Sequence, residues 1–201
     1  MHFVAPESGR ILLRSRKPAR SASRRAASGV TLIELMAVIS IVAILMMIGV
    51  PSYKYINTAA QVSGEANGLL GDLQLARVEA IKEGQPVTVC VSNDGANCSG
   101  ATTWQSGWIV FSDPNGNQAV DAGETVMRIQ RAFTSTDTFS PSAPLSAVTF
   151  NREGFAQNLP NAGVTLVLHD ATAKATWTRC LTMTIIGQMT VQNHNTSAGC
   201  T

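Results

Sequence analysis

The chain has 201 residues, 45% hydrophobic and 14% charged, enough for one domain of ordinary size plus an appendage. Its formal net charge of +2 hides two different objects. Residues 1–29 carry Arg10, Arg14, Arg16, Lys17, Arg20, Arg24 and Arg25 against Glu7, a net of +6, whereas the chain from Val30 onward holds 8 basic and 12 acidic residues, a net of −4, which excludes a body that gathers phosphates by bulk charge.

Residues 1–29 are polar, basic and rich in Ser, Ala and Arg, with no period and no core-forming run. They read as a leader that lies outside the fold. Arg24-Arg25 fits a twin-arginine pattern, but an ordinary basic flank explains the pair equally well.

Val30–Val50 supplies 21 apolar-dominated residues, with no charge from Leu35 to Val50. At about 1.5 Å rise per residue such a helix is roughly 30 Å long, enough to cross a hydrocarbon core. Because the basic flank precedes it, the amino end faces the cytoplasm and the body lies outside. One acid, Glu34, stands near the start of this segment. A bland reading places it at the headgroups or the positive helix end. A sharper one pairs it with a cation created by cutting between Gly29 and Val30: the new amine of a neighbouring chain meets Glu34, neutralising both charges in low dielectric.

Pro51 lacks a backbone donor and is expected to bend the helix without ending it. Helical spacing then resumes, with Leu69, Leu73, Ala76 and Ala80 on one stripe and Asp72, Glu79 and Lys82 off it, an amphipathic segment facing something folded. Gly64, Gly68 and Gly71 weaken this half and mark either close packing or a loose turn. Gly84 and Pro86 end it.

Beyond Pro86 the pattern becomes short β-type runs separated by turn residues. Strands are expected at 86–91, 107–112, 125–129, 146–150, 164–169, 176–185 and 190–193. Four cysteines, Cys90, Cys98, Cys180 and Cys200, favour disulfides in a chain routed out of the cytoplasm. Each of the pairs Cys90–Cys98 and Cys180–Cys200 closes a local loop, although four cysteines permit three connectivities. A zinc site lacks C-x-x-C spacing and suitably placed histidines.

Oxygen-bearing side chains at Asp113, Asn115, Asn117, Asp121 and Glu124 fall at places 1, 3, 5, 9 and 12 of a twelve-residue run, the ligand order of a calcium loop. Gln118 replaces the sixth-place glycine, Pro114 intrudes and strands flank the loop, so a polar turn is the favoured reading. Paired catalytic carboxylates, a nucleophile elbow, a zinc motif and a phosphate loop are all missing from the sequence, so neither an enzyme nor a cofactor is expected.

Gly29 followed by VTLIEL, an uncharged run and Pro51-Ser-Tyr resembles the processing site and helix of type IV prepilins and type II secretion pseudopilins. From about Leu69 to Val191, stretches such as WQSGWIVFSDPNGNQAVDAGETVMRI and RCLTMTIIGQMTVQ resemble the GspH/FimT-type minor pilins and pseudopilins. The resemblance implies an α+β fold: a leader over 1–29, a membrane-spanning helical half over 30–50, an amphipathic half over 51–83, and an antiparallel, sandwich-like, disulfide-tied head over 86–201. It also implies prepilin peptidase cleavage after Gly29, methylation of Val30 (where the family usually has Phe), and Glu34 as the docking group. The implied place is the bacterial inner membrane, single-pass, with the head in the periplasm. The implied partners are other pilins or pseudopilins and the inner-membrane assembly platform, and the implied role is to start or cap a pilus or pseudopilus. Some FimT-type relatives act in DNA uptake through a basic Gly-Arg-x-Arg motif. Gly187-Gln188-Met189-Thr190 stands at that place here without either arginine, and Arg128, Arg131, Arg152 and Arg179 are scattered, which disfavours nucleic acid as a partner.

Overall fold

Residues 29–160, 163–194 and 200 are described by the computed structural model. Of the expected leader, only Gly29 lies among them. The chain divides between Leu45 and Met46 into two units.

Helix α1 spans Leu32–Glu83 and continues through Pro51. Its start is set by Thr31, whose hydroxyl oxygen accepts the Glu34 N–H at 3.3 Å while its carbonyl accepts the Leu35 N–H at 3.1 Å. Its end is set by Gly84, which adopts φ +69. Within the second unit the buried stripe is Val62, Ala66, Leu69, Leu73, Ala76 and Ala80. Alternating steps of four and three keep these six on one face, and the small side chains among them let the helix approach the sheets closely.

Among the described residues nine strands follow: β1 (Val87–Val91), β2 (Gly107–Ser112), β3 (Val126–Arg131), β4 (Thr138–Pro141), β5 (Ala147–Phe150), β6 (Ala156–Gln157), β7 (Gly163–His169), β8 (Arg179–Thr184) and β9 (Met189–Asn193). They form two sheets, ordered β3-β2-β1-β5-β6 and β4-β7-β8-β9, with every pairing antiparallel. One core joins the α1 stripe to Val87, Val89, Val91, Trp104 and Trp108 of the first sheet region and to Leu166, Leu168, Leu181 and Met183 of the second. This is an α+β architecture, a long helix packed on antiparallel sheets.

Two local features depart from the sequence reading, and a third decides between its alternatives. β4 and β6 were not expected: β4 has a single large apolar residue, Phe139, and ends on Pro141, a residue that sheets tolerate at an edge strand. The expected strand over 176–185 begins only at Arg179, because Ala175–Trp177 forms a 3-10 turn closed by Thr178 N–H bonds to the Lys174 and Ala175 carbonyls. Gly64, Gly68 and Gly71 are not sites of tight packing, since a Cβ at any of them would meet nothing within 4 Å.

Candidate processing and assembly site

Gly29, Val30 and Thr31 precede the helix as non-helical backbone, and Val30 is 72% exposed. The bond between Gly29 and Val30 is therefore reachable without unwinding a helical turn. Glu34 sits in the first turn of α1, three places after the capping Thr31. That Thr-x-x-Glu spacing is the capping-box pattern, a signal in the sequence that reasoning from the apolar run alone passed over. It gives Glu34 a local role at the positive helix end alongside any role between chains. After Glu34 the helix carries no acid until Glu65, and its most apolar stretch, long enough to cross a membrane, is left uncovered by its own chain.

Pro51 lies inside α1, where its missing N–H leaves the carbonyl four residues back without its helical donor. Farther along, polar pins fix the helix to the sheets. The Trp108 indole N–H donates to Asp72 Oδ2 at 2.8 Å, and Arg128 Nε lies 3.3 Å from Asp72 Oδ1. Arg77 donates from Nε to the Gly154 carbonyl and from Nη1 to the Gly187 carbonyl, both at 2.9 Å. Gly187 adopts φ +75, and a Cβ there would stand 2.4 Å from the Gly154 oxygen and 2.8 Å from Arg77 Nε, so glycine is required for this clasp. Ser135 donates to Glu65 Oε1 and Gln61 to Asp137 Oδ2, each at 2.9 Å. Burial is the main cause that pushes the Glu65 carboxyl up to about 7; the Ser135 hydrogen bond opposes it and the nearby Asp137 carboxylate adds to it.

Cys90 is bonded to Cys98 and Cys180 to Cys200. The first bridge ties β1 to the loop after it, where Asp94 accepts the Asn97 side-chain amide and the Ala96 and Asn97 N–H groups and is held well below the usual carboxylate range. The second ties the centre of the four-stranded sheet to the residue at 200.

In the run from Asp113 to Glu124, the side-chain oxygens are taken up within the loop. Asp113 is buried, its Oδ2 accepting the Thr88 hydroxyl at 2.7 Å and the Gln118 N–H at 3.0 Å. Asp121 Oδ2 accepts the side-chain amides of Asn115 and Asn117, both at 2.8 Å, and Glu124 accepts the Asp121 N–H. Gln118 itself makes the left-handed turn, φ +61, that a glycine serves in a calcium loop. The geometry is a hydrogen-bonded turn, and a calcium ion would have to displace these donors. Among the described residues no group of three or more His, Cys, Asp or Glu is placed to hold a metal. Three of the four arginines weighed for nucleic acid are engaged within the chain: Arg128 with Asp72, Arg152 with Glu153, and Arg179 of β8 with Ser63 of α1.

The family described as type II transport protein GspH matches residues 65–187, and the prokaryotic N-terminal methylation motif matches residues 24–50. Among solved structures, the type IV minor pilin FimU of Pseudomonas aeruginosa is similar at 18% identity and a TM-score of 0.52, covering 74% of this chain and 98% of that one. The minor pseudopilin EpsH from the type 2 secretion system of Vibrio cholerae is similar at 13% identity and a TM-score of 0.47, covering 67% and 98%. No curated protein matches the chain in sequence.

Proposed function

The chain belongs to the GspH family of minor pilins and pseudopilins, and from that premise we propose that it is a structural subunit, made as a precursor, cut between Gly29 and Val30, and built into a type IV pilus or type II secretion pseudopilus. The observation that carries this reading is the exposed Gly29–Val30 bond directly ahead of a capped, acid-bearing, otherwise apolar helix, inside the stretch matched by the methylation motif.

The chemistry follows in steps. The basic leader stays in the cytoplasm and the Val30–Val50 segment spans the inner membrane, so the head lies on the periplasmic side. Cleavage by prepilin peptidase leaves a charged amine on Val30. That amine and the Glu34 carboxylate are both costly in lipid, roughly 2.5–3.5 kcal/mol for a charge at the helix centre and less near its end. Pairing the amine of one subunit with Glu34 of the next offsets both costs and sets the register of the two helices. Assembly at the inner-membrane platform then uses the head to start or cap the fibre rather than to carry out a reaction.

Two substitutions test the proposal. Gly29→Leu leaves uncut precursor in the membrane, read by mass spectrometry of the amino terminus; normal cleavage rejects the site. Glu34→Ala is inserted and cut but is missing from sheared fibres, because insertion needs only the apolar run. Its presence there at wild-type amounts removes the docking role and leaves Glu34 as an acid at the positive end of the helix.

A further inference from the structure

Tyr55 lies five residues after Val50 on α1, about 7.5 Å farther along the axis. A bilayer of about 40–45 Å around a hydrocarbon core of about 30 Å has headgroup layers of roughly 5–7.5 Å on each side. If the apolar run ends where the hydrocarbon ends, Tyr53 falls within the headgroup layer and Tyr55 at its outer edge, a level at which tyrosine and tryptophan rings are favoured. The ring of Trp177, from the turn before β8, packs on Tyr55 with centroids 5.5 Å apart. Lys174 Nζ stands 4.7 Å from the Trp177 ring centroid on the same turn. The head therefore brings its own aromatic ring and cation to the level at which the helix leaves the lipid.

Among the described residues, the exposed charge around this point has one sign. Lys54 lies between the two tyrosines, Lys174 is exposed, and Arg179 reaches across to Ser63 on α1 and to the Thr176 carbonyl. No acid occurs in α1 between Glu34 and Glu65. The acid of the turn, Asp170, is buried, and its carboxylate is taken up by the Thr172 and Lys174 N–H groups and the Thr172 hydroxyl. These bonds hold the turn in shape and leave Lys174 as its exposed charge. A cationic, aromatic end on a chain that is net −4 from Val30 onward is the complement of an anionic surface.

We propose that the turn Asp170–Trp177 is a second membrane contact, in which Trp177 and Lys174 rest with Tyr55 in the headgroup layer of anionic phospholipid while the subunit awaits assembly. The inference rests on the reading that Val30–Val50 spans the bilayer. It adds a contact that must break when the subunit leaves the membrane for the fibre. The contact restrains the head until that moment.

The test uses the full processed chain in phosphatidylethanolamine–phosphatidylglycerol vesicles with lipids brominated near the headgroup. Trp104 and Trp108 are each 1% exposed, so Trp177 is the tryptophan that lipid can reach. The expected result is partial quenching of tryptophan emission that Trp177→Phe abolishes. Lys174→Ala, which leaves the three rings in place, lowers the ratio of docked to free heads by about fivefold in anionic vesicles and has no effect in phosphatidylcholine, from about 1 kcal/mol for one cation at an anionic surface. Wild-type emission untouched by brominated lipid, in a chain that still resists carbonate extraction, overturns the contact alone. So does Trp177 protection that appears only when another pilin subunit is added. A chain stripped from the vesicles by carbonate overturns the spanning segment and this contact together.

Discussion

Leu32–Val50 and Val62–Ala80 are stretches of one helix in which apolar side chains meet opposite fates. In the first stretch, residues as large as Ile33, Leu45 and Met47 are exposed; in the second, Val62, Leu69 and Leu73 are shut away beneath the sheets. The sequences differ accordingly. The first is apolar on every side, so turning it cannot hide its surface, whereas the second confines its apolar residues to one stripe and needs one folded partner. The second half is covered by the chain's own head, and on the proposed reading lipid or neighbouring helices cover the first.

The sharpest way to break this comparison is to remove the same atoms from each half. Leu73→Ala empties a site in the core and lowers unfolding free energy by about 2–5 kcal/mol, whereas Leu45→Ala leaves the unfolding of the head unchanged. Chemical denaturation of the intact chain in detergent, followed through the buried tryptophans, reads both. Equal losses would mean that the first stretch is packed on the head after all. A smaller effect sharpens the comparison at its polar pins. Asp72→Ala strands the buried Trp108 N–H and costs about 1–3 kcal/mol. Arg128→Ala, removing the exposed partner of the same carboxylate, costs at most about 1 kcal/mol. If the two variants melt alike, the indole bond is not what holds the helix at this point.

Much of this division was legible in residue spacing. Leu69, Leu73, Ala76 and Ala80 repeat at three and four, and the strands around Val89, Ile109 and Leu166 are short apolar runs between turns, so each announces its own partner surface. Contacts formed at long range left no such mark. The clasp of Arg77 on Gly154 and Gly187 joins residues 77 and 110 positions apart, and nothing local to Arg77 separates it from a solvated arginine. β4 was hidden because its pairing with β7 depends on the partner strand more than on its own Thr-Phe-Ser-Pro. Trp177 was read as strand because its aromatic and β-branched neighbours suit a strand, yet the buried Asp170 carboxylate and the Tyr55 ring draw it into a turn. At the candidate processing site the motif lies within one short stretch, Gly29 to Glu34, and the capping by Thr31 was equally local, visible in the Thr-x-x-Glu spacing.

Two of the acids of α1, Glu34 and Glu65, extend the comparison to pH. Glu34 stands on the stretch that lacks a folded partner, whereas Glu65 is lodged where the helix meets the segment from Ser135 to Asp137. With its carboxyl raised from the ordinary 4.5 to about 7, Glu65 binds a proton more tightly in the folded chain than in the unfolded one. The folded state then holds more protons through that interval, so stability falls as pH rises from 4.5 through about 7 and is greatest below it. The groups facing Glu65 are Asp137, which opposes its ionisation, and the neutral Gln61 and Ser135. Glu65→Gln keeps the shape and removes the titration. Wild-type protein is expected to melt at a lower temperature near pH 8 than near pH 5.5, while the variant loses most of that difference and gains most at the higher pH. Melting followed by circular dichroism across this range decides it, for an unchanged pH slope in the variant would assign the dependence to other groups and leave Glu65 as an ordinary solvated acid.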